Sequence, residues 1–368
     1  MSVTSVIRAE PRRTTSSARG KNRASFGRTL LRWYHLHHRD LPWRETRDPY
    51  RIWLSEIMLQ QTRVAAVLQH YRTFLERFPN IQTLAAATED QVLSAWSGLG
   101  YYRRARMLHR CAQEVVHKND GRLPQNSDAL LELPGIGRYT AAAIASIAFS
   151  EPIAVVDGNV ERVLRRITGN NLTSAQTWQT AQEFLVTSRP GDFNQAMMEL
   201  GATLCLPRMP KCAACPVRKW CATRGEVPGR TPRPRQNKKE VWYSLEERVP
   251  NSNIDTSNTT FENGCAREIR LVQRPKKTTL MPKMWELPQL SEPPKRRLSL
   301  GQWRTFRHSI TTTDYTVHVL RRSLTNECVA EIFATTAGNG SEWIATNRIQ
   351  EIPITGLARK ILKAGGII

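Results

Sequence analysis

The chain has 368 residues and a formal net charge of +22 at pH 7, from 54 lysines and arginines against 32 aspartates and glutamates. This length exceeds the roughly 100 to 200 residues of an average domain, so it predicts two domains and excludes a small disulfide scaffold. The positive surplus favours a polyanionic partner such as nucleic acid or an anionic membrane surface. No apolar run reaches the roughly 18 residues of a spanning helix, and we expect a soluble intracellular protein.

Four segments follow one another along the chain. Residues 1–25 are rich in arginine and serine with little to bury, which predicts a disordered basic tail; a mitochondrial presequence has the same composition. Residues 26–225 have helical apolar spacing and predict a mostly α domain. Residues 226–240 combine prolines with basic side chains, as an extended linker does. Residues 241–368 contain short apolar runs between polar stretches and predict a smaller α+β domain.

Two glycines, Gly135 and Gly137, separate a short predicted helix from an alanine-rich one. They allow backbone N–H groups to approach an anion at the N-terminus of the second helix. A purely structural turn is the alternative. Combined with the net charge, the pattern favours a helix-hairpin-helix that binds a DNA phosphate without reading sequence.

Three side chains are candidates for acid–base chemistry. Glu56 lies in a largely apolar stretch, where it either faces solvent or has its pKa raised by burial; periodicity alone favours solvent. Asp157 precedes a predicted helix and has the simpler role of an N-cap, although a carboxylate there is also able to stabilise a developing cation. Tyr139 follows the hairpin and is equally compatible with a core aromatic.

Four of the seven cysteines follow the pattern Cys205-x6-Cys212-x2-Cys215-x5-Cys221. This spacing indicates a metal site, because disulfides are not expected in a chain without a secretion signal. Four thiolates suit either tetrahedral zinc or a 4Fe-4S cluster. Zinc sites more often use two Cys-x2-Cys pairs and only one is present, so we favour the iron-sulfur cluster.

The order of these motifs resembles the iron-sulfur branch of the helix-hairpin-helix DNA glycosylases. Within that branch, Leu54 to Thr62, Gly98 to Tyr102 and Phe193 to Met198 resemble the MutY family of adenine DNA glycosylases. The similarity covers about residues 26–225. It implies that the four cysteines hold a 4Fe-4S cluster and that the chain removes adenine from DNA.

The resemblance also implies roles for individual residues. Glu56 would protonate adenine, Asp157 would stabilise the oxocarbenium-like sugar, and Tyr139 and Asn159 would support them. Bifunctional relatives have a lysine at the place of Tyr139, so lyase activity is not expected. Thymine-mismatch relatives share the tyrosine but lack the acid of Glu56. The remaining matches are a base pocket of Arg39, Trp43, Arg44 and Gln195, and DNA-binding positions at Gln61, Thr62, Leu99, Tyr101, Gly135 and Gly137.

Residues 241–368 resemble the MutT-like recognition domain of that family, although the pyrophosphatase box of true Nudix hydrolases is missing. The resemblance implies that Phe306, His308 and Thr311 recognise the opposing base. Where the family has Phe-Ser-His, this chain has Ile310, Thr311 and Thr312. The histidine donor is lost, so we expect a weaker preference for 8-oxoguanine over guanine.

The expected fold is thus a mostly α helix-hairpin-helix glycosylase domain with an iron-sulfur cluster loop, followed by a smaller α+β MutT-like (Nudix-like) domain. The expected activity is that of a monofunctional adenine DNA glycosylase in base excision repair. Its partner would be double-stranded DNA with A:8-oxoguanine or A:G mismatches, bound by a monomer without a membrane. A thymine or uracil mismatch glycosylase and a non-catalytic iron-sulfur DNA-binding module remain the alternatives. The expected location is cytoplasmic and nucleoid-associated in a bacterium, and nuclear or mitochondrial in a eukaryote.

Overall fold

A computed structural model describes residues 16–225, 237–248, 267–278, 280–291, 302–310, 313–324 and 340–368. The chain divides into two compact units. The first comprises Met1–Glu56 and Leu123–Gly229, and the second comprises Ile57–Arg122 and Arg230–Ile368. Residues 1–15 of the predicted tail and residues 226–236 of the predicted linker lie outside the described residues.

The described residues contain twelve α-helices. They are α1 Ser16–His37, α2 Pro49–Leu59, α3 Val64–Arg77, α4 Ile81–Ala86, α5 Glu89–Ala95, α6 Arg103–Lys118, α7 Ser127–Leu131, α8 Arg138–Ala148, α9 Gly158–Thr168, α10 Ser174–Phe184, α11 Pro190–Thr203 and α12 Gly356–Ala364. The described strands are β1 Asn237–Arg248, β2 Glu268–Gln273, β3 Trp285–Glu286, β4 Gln289–Leu290, β5 Gln302–Ile310, β6 Thr313–Leu324 and β7 Ser341–Ala345. The helices precede the strands except for α12, so the predicted order of a mostly α region and an α+β region is confirmed.

Helix α1 begins at Ser16, within the segment for which the sequence predicts a disordered tail. Two contacts hold its first turns: Trp220 Nε1 donates to Asn22 Oδ1 at 2.5 Å, and Arg23 Nη2 donates to Glu183 Oε2 at 2.5 Å. Both partners are distant in sequence, so local composition does not reveal them. The prediction of a disordered tail is therefore wrong for residues 16–25.

In the first unit, α1, α9, α10 and α11 share one apolar core. Its largest fully buried side chains include Phe26, Leu30 and Phe193. Burying an aliphatic or aromatic side chain of this size contributes about 1.5 to 3 kcal/mol, so this core fixes how the helices meet. Helices α8 and α11 approach closely because Gly191 has no side chain: a Cβ there would lie 2.7 Å from the carbonyl oxygen of Ser146.

In the second unit, helices α3 to α6 pack around Phe74 and Trp96, whose rings meet edge to face at 5.9 Å. Two of the short helices begin with reciprocal capping boxes, Asn80 with Thr83 and Thr88 with Gln91. Such caps satisfy backbone donors that a helix of six or seven residues otherwise leaves open. The starts of α4 and α5 are therefore fixed by their own side chains.

The strands of the second unit form one mixed sheet with the order β3-β2-β1-β6-β5, in which β4 also pairs with β1 and β7 with β2. Strand β1 runs parallel to β6, with Val241 opposite Val317, and the other pairs are antiparallel. Helix α12 covers the apolar core of the sheet with Ile361 and Leu362. Helix α12 starts at Gly356, where the Thr355 hydroxyl accepts a hydrogen bond from Ala358 N at 3.2 Å.

Among the described residues, no helix has both the length and the apolar character of a membrane span.

Candidate active site

Glu56 and Tyr139 form the centre of the site in the first unit. Helix α2 places Glu56 where only 6% of it is exposed, so the solvent-facing interpretation favoured by periodicity is wrong. Tyr139, in the first turn of α8, donates its hydroxyl hydrogen to Glu56 Oε2 at 2.5 Å. The same hydroxyl lies 3.5 Å from Met198 Sδ. Tyr139 is therefore not an isolated core aromatic but a direct partner of the buried acid.

Burial raises the pKa of Glu56 to about 7. The hydrogen bond from Tyr139 opposes this rise, the negative charge of Asp157 adds to it, and the positive charge of Arg44 again opposes it. The same burial, together with the charge of Glu56, raises the pKa of Tyr139 well above its usual value. Near neutral pH the site thus holds a carboxyl group that exchanges a proton easily and a tyrosine that keeps its own.

Asp157 caps helix α9, as the sequence predicts. Its Oδ1 accepts hydrogen bonds from Asn159 N at 2.9 Å and Val160 N at 2.7 Å. Its Oδ2 accepts from Asn159 Nδ2 at 2.8 Å, and Asn159 Oδ1 in turn accepts from Arg162 Nη2 at 2.8 Å. This chain of donors fixes the orientation of the Asp157 carboxylate and of the Asn159 amide.

Sequence inspection misses Glu199, which binds two of the residues that are predicted to line a base pocket. Arg39 donates Nε to Glu199 Oε1 at 2.8 Å and Nη2 to Oε2 at 2.7 Å, and Arg44 Nη2 donates to Oε2 at 2.7 Å. Burial alone would raise the pKa of Glu199, but these two guanidinium groups lower it to about 2. The only sequence signal is a glutamate in the apolar run that follows Ala196.

The two other predicted pocket residues lie in the same unit. Trp43 is buried, in a short 3-10 turn that runs from Pro42 to Arg44. Gln195 is half-buried on α11, four residues before Glu199 and therefore one turn away on the same helix. The structure thus brings Arg39 and Arg44 together through one carboxylate and positions Gln195 on the helix that supplies it.

The hairpin has the geometry that its glycines predict. Gly135 adopts a φ of +81°, a left-handed conformation that glycine tolerates best, and Gly137 caps the start of α8. Both glycines are exposed, while Ile136 between them is buried at 5% exposure. A Cβ placed on Gly137 would meet nothing within 4 Å, so the helix N-terminus opens onto free space.

In the second unit, Arg104 connects two segments that carry predicted DNA-binding residues. It donates to the carbonyl oxygens of Gln60 at 2.6 Å and Gly100 at 3.2 Å, and to Thr62 Oγ1 at 3.1 Å. The guanidinium also lies 5.5 Å from the ring centre of Tyr101. Burial lowers the pKa of Arg104 to about 10. The sequence gives no sign of this role, because Arg104 stands in a run with other arginines.

The predicted DNA-binding residues of these two segments differ in exposure. Gln61 and Tyr101 have φ values of +57° and +50°, and both are exposed, Tyr101 at 50%. Thr62 is half-buried, and Leu99 is buried at 6% exposure. Strained backbone at non-glycine residues is characteristic of functional segments, so the two exposed side chains are the stronger candidates for a contact with a partner.

The four cysteines lie in the first unit, in the segment that follows α11. Cys205 and Cys215 pack against its core, and Cys205 Sγ accepts a hydrogen bond from Arg166 Nη1 at 3.3 Å. Burial raises the pKa of Cys215 to about 11, and the charges of Cys205, Cys221 and Cys212 add to the effect. Within the part of the chain that the structure describes, no group of three or more His, Cys, Asp or Glu side chains is arranged to hold a metal ion.

Two of the three predicted opposing-base residues lie on β5. Phe306 is buried at 9% exposure, with Lys360 Nζ 5.8 Å from its ring centre. His308 is half-buried opposite Tyr315, and burial lowers its pKa, with a further contribution from the charge of Lys360. The third, Thr311, lies outside the described residues.

Comparison with known proteins gives consistent matches. Residues 54–187 match the HhH-GPD superfamily of base excision DNA repair proteins. The adenine DNA glycosylase of Homo sapiens is 46% identical over 218 residues, which cover 55% of this chain and 40% of the human protein. That of Arabidopsis thaliana is 43% identical over 224 residues, which cover 52% of this chain and 35% of the plant protein. The matches thus span well under half the length of these two curated relatives.

A solved structure of a thermostable thymine-DNA glycosylase is also similar to this chain. The two are 34% identical, with a TM-score of 0.53. The match covers 56% of this chain and 98% of the thymine-DNA glycosylase, so nearly the whole of that smaller protein aligns with part of this chain. The chain therefore belongs to the HhH-GPD superfamily of base excision DNA repair proteins, and 55% of it is similar to the adenine DNA glycosylase of Homo sapiens.

Proposed function

We propose that this chain is a monofunctional DNA glycosylase that hydrolyses the N-glycosidic bond of adenine mispaired with 8-oxoguanine or guanine. The observation that carries the proposal is the buried Glu56, whose pKa lies near 7 and whose Oε2 accepts a hydrogen bond from Tyr139. General acids work best when their pKa lies close to the working pH. Similarity to adenine DNA glycosylases supports adenine as the base.

In this mechanism Glu56 protonates adenine at N7, so that the base leaves as a neutral molecule. The sugar then carries an oxocarbenium-like positive charge, which the Asp157 carboxylate stabilises. Water adds to C1′ of this sugar and gives up a proton to the Glu56 carboxylate, which completes the hydrolysis and restores the acid. Asn159 holds that carboxylate in place through its amide at 2.8 Å. Tyr139 supplies a phenol where a nucleophilic amine would be required for a Schiff base, so strand cleavage by lyase chemistry is not part of the proposal.

Adenine must leave the base stack before Glu56 reaches it. Extruding a base costs a few kcal/mol and less in a mismatch, which contributes to selectivity. Exposed Gln61 and Tyr101 are proposed to fill the gap, with Thr62 and Leu99 beside the opposing base. The open N-terminus of α8 at Gly137 is proposed to bind a backbone phosphate. Arg39, Arg44, Trp43 and Gln195 are proposed to line the pocket that receives the base.

We also propose that Cys205, Cys212, Cys215 and Cys221 hold a 4Fe-4S cluster. Four thiols within 17 residues form a suitable donor set, and the Arg166 guanidinium at 3.3 Å from Cys205 Sγ provides a positive charge and an N–H donor beside one of them. These four thiolates would each bind one iron, and the bound cluster would cross-link the loop. Arg208, Lys211, Arg218 and Lys219, which lie between the cysteines, would then face DNA phosphates.

Metal analysis tests this assignment. Protein purified without oxygen is expected to contain about four irons and matching sulfide, with a broad visible absorbance. Changing any one of the four cysteines to serine should lower the iron content, whereas Cys111→Ser, at a buried cysteine outside the loop, should leave it unchanged. If the analysis finds one zinc per chain and no sulfide, the cluster assignment is wrong and the four cysteines form a tetrahedral zinc site instead.

For the sheet region we propose a MutT-like role in recognising the base opposite adenine, through Phe306, His308 and Thr311. The half-buried His308, whose pKa is lowered by burial, is neutral near pH 7 and offers one donor and one acceptor. We further propose that the protein acts as a monomer, located with the nucleoid in a bacterial cytoplasm or in the nucleus or mitochondria of a eukaryote.

A panel of mismatched duplexes tests the proposed activity. Single-turnover base release is measured on A:8-oxoguanine, A:G, T:G and U:G duplexes, together with binding to each. We expect adenine release from the first two and intact strands before alkali treatment. Release of thymine or uracil would favour a thymine or uracil mismatch glycosylase. Binding without any base release would favour a non-catalytic DNA-binding module.

A further inference from the structure

The segment between α5 and α6 has an unusual backbone. Gly98, Gly100 and Tyr101 have φ values of +107°, +70° and +50°. Three left-handed residues within four positions do not form from local preference when one of them is a tyrosine. Surrounding contacts must therefore hold this segment, which presents the exposed Tyr101.

The residues at both ends of this segment bind the C-terminal part of the chain. Ser97 Oγ donates to the carbonyl oxygen of Ile354 at 3.0 Å, and the Tyr102 hydroxyl donates to the same oxygen at 3.1 Å. Ser97 and Tyr102 are 5% and 3% exposed. Both hydroxyl groups are consequently removed from water and fixed on one carbonyl just before α12.

Arg359 on α12 completes the contact. Its Nε donates to Ser97 Oγ at 2.9 Å, so Ser97 accepts from the helix while it donates to Ile354. A Cβ on Gly98 would lie 4.0 Å from Arg359 Cδ and 2.9 Å from His70 Nε2, so the backbone is enclosed on both sides. The acceptor of Arg359 is a neutral hydroxyl rather than a carboxylate. Arg359 is half-buried, and this hydrogen bond connects its guanidinium to the start of the strained segment.

We propose that Arg359 is a positioning residue for DNA engagement: through Ser97 it holds the backbone of residues 97–101 in the conformation that presents Tyr101. On the far side, Arg104 binds the Gly100 carbonyl oxygen at 3.2 Å, so the segment is fixed from α12 and from α6 together. The inference rests on the proposed function, because it assigns Tyr101 a task in extruding the base. It gives the C-terminal region a second contribution that is separate from reading the opposing base.

The test compares two variants of one helix. Arg359→Met and Lys363→Met each remove one positive charge from α12, but Lys363 is exposed and carries no contact to this segment. We expect Arg359→Met to slow single-turnover adenine release about tenfold, the effect of about 1.4 kcal/mol, and Lys363→Met to leave it unchanged. Ser97→Ala should slow release similarly. Ser94→Ala should not, although it removes the hydrogen bond from Ser94 in α5 to the carbonyl oxygen of Gln350.

A double-mutant cycle distinguishes positioning from loss of stability. If Arg359 acts through Tyr101, Arg359→Met should have almost no further effect in a Tyr101→Ala background. Unstacking of the DNA is followed independently by the fluorescence of 2-aminopurine placed beside the target adenine. This fluorescence should rise less when Arg359→Met binds the duplex than when Lys363→Met binds it.

Two results would overturn the inference: equal release by Arg359→Met and Lys363→Met, or a tenfold effect that persists without Tyr101. If the unaltered protein releases no base from any duplex, the proposed function fails instead, and the 2-aminopurine signals of the two α12 variants alone decide the inference.

Discussion

Glu56→Gln is expected to lower single-turnover adenine release by about 100- to 10,000-fold, the usual contribution of a general acid. Glutamine has nearly the same shape and still accepts the Tyr139 hydrogen bond, but it has no acidic proton. Binding to the mismatched duplex should persist. Glu132→Gln, at an exposed glutamate, serves as the matched control. A folded Glu56→Gln protein with full activity would show that another group protonates the base.

The pH dependence gives the same assignment a second signature. Because burial raises the pKa of Glu56 to about 7, release should fall about tenfold per pH unit above that value as the acid loses its proton. The stability of the folded protein should also fall as the pH rises. A carboxyl group whose folded pKa is raised from 4.5 contributes stability that is complete below about pH 4.5 and is lost as the pH rises through about 7.

Glutamine is neutral at every pH, so the melting temperature of Glu56→Gln should exceed that of the unaltered protein at pH 8 and approach it at pH 5. Activity and stability thus change in opposite directions in one variant. A melting temperature that is lower at pH 8 would contradict the burial of an ionising Glu56.

Asp157→Asn is expected to slow adenine release by about 100- to 1,000-fold, comparable to the removal of one preorganised electrostatic group. Asparagine caps a helix about as well as aspartate, so the loss of free energy of unfolding should stay within about 1 kcal/mol. The variant therefore separates the charge of Asp157 from its cap. Single-turnover kinetics and thermal unfolding on the same sample provide both quantities.

The bonding of Asn159 supplies a sharper control. In Asp157→Asn, two amide groups can face each other, because Asn159 Nδ2 points at Asp157 Oδ2 and its Oδ1 is held by Arg162. The double variant Asp157→Asn with Asn159→Asp restores a donor and an acceptor and keeps the total charge. We expect it to recover stability but not activity. Recovery of both would mean that the exact position of the carboxylate is unimportant.

The features that sequence predicts best are those that neighbouring residues determine. Asp157 caps α9 because a capping aspartate bonds residues two and three positions ahead, and the Gly135 turn depends on its own backbone freedom. The α+β character of the C-terminal region is likewise visible in short apolar runs between polar stretches. In these cases local chemistry is sufficient.

Features that depend on distant partners are not predictable in this way. Glu56 looks solvent-facing by periodicity, yet α8 closes over it with Tyr139, 83 positions later in the chain. Glu199 binds Arg39, which lies 160 positions earlier in the chain. Arg23 binds Glu183, which lies 160 positions later, and because this partner is so distant the sequence predicts the start of α1 too late. The same reason hides Arg104 and Arg359 among many basic residues.

The contact of Ser97 with Ile354 joins residues 257 positions apart, and that separation has a consequence for synthesis. A ribosome adds roughly 5 to 20 residues per second, so α5 and α6 emerge about 10 to 50 seconds before the carbonyl group that receives the hydroxyls of Ser97 and Tyr102. During that interval both hydroxyls are solvated and the strained backbone next to Tyr101 lacks one of its supports. The segment between α5 and α6 consequently has all of its contacts only after residue 354 has been translated, and we expect a nascent chain stalled before that residue to leave the segment open to proteases.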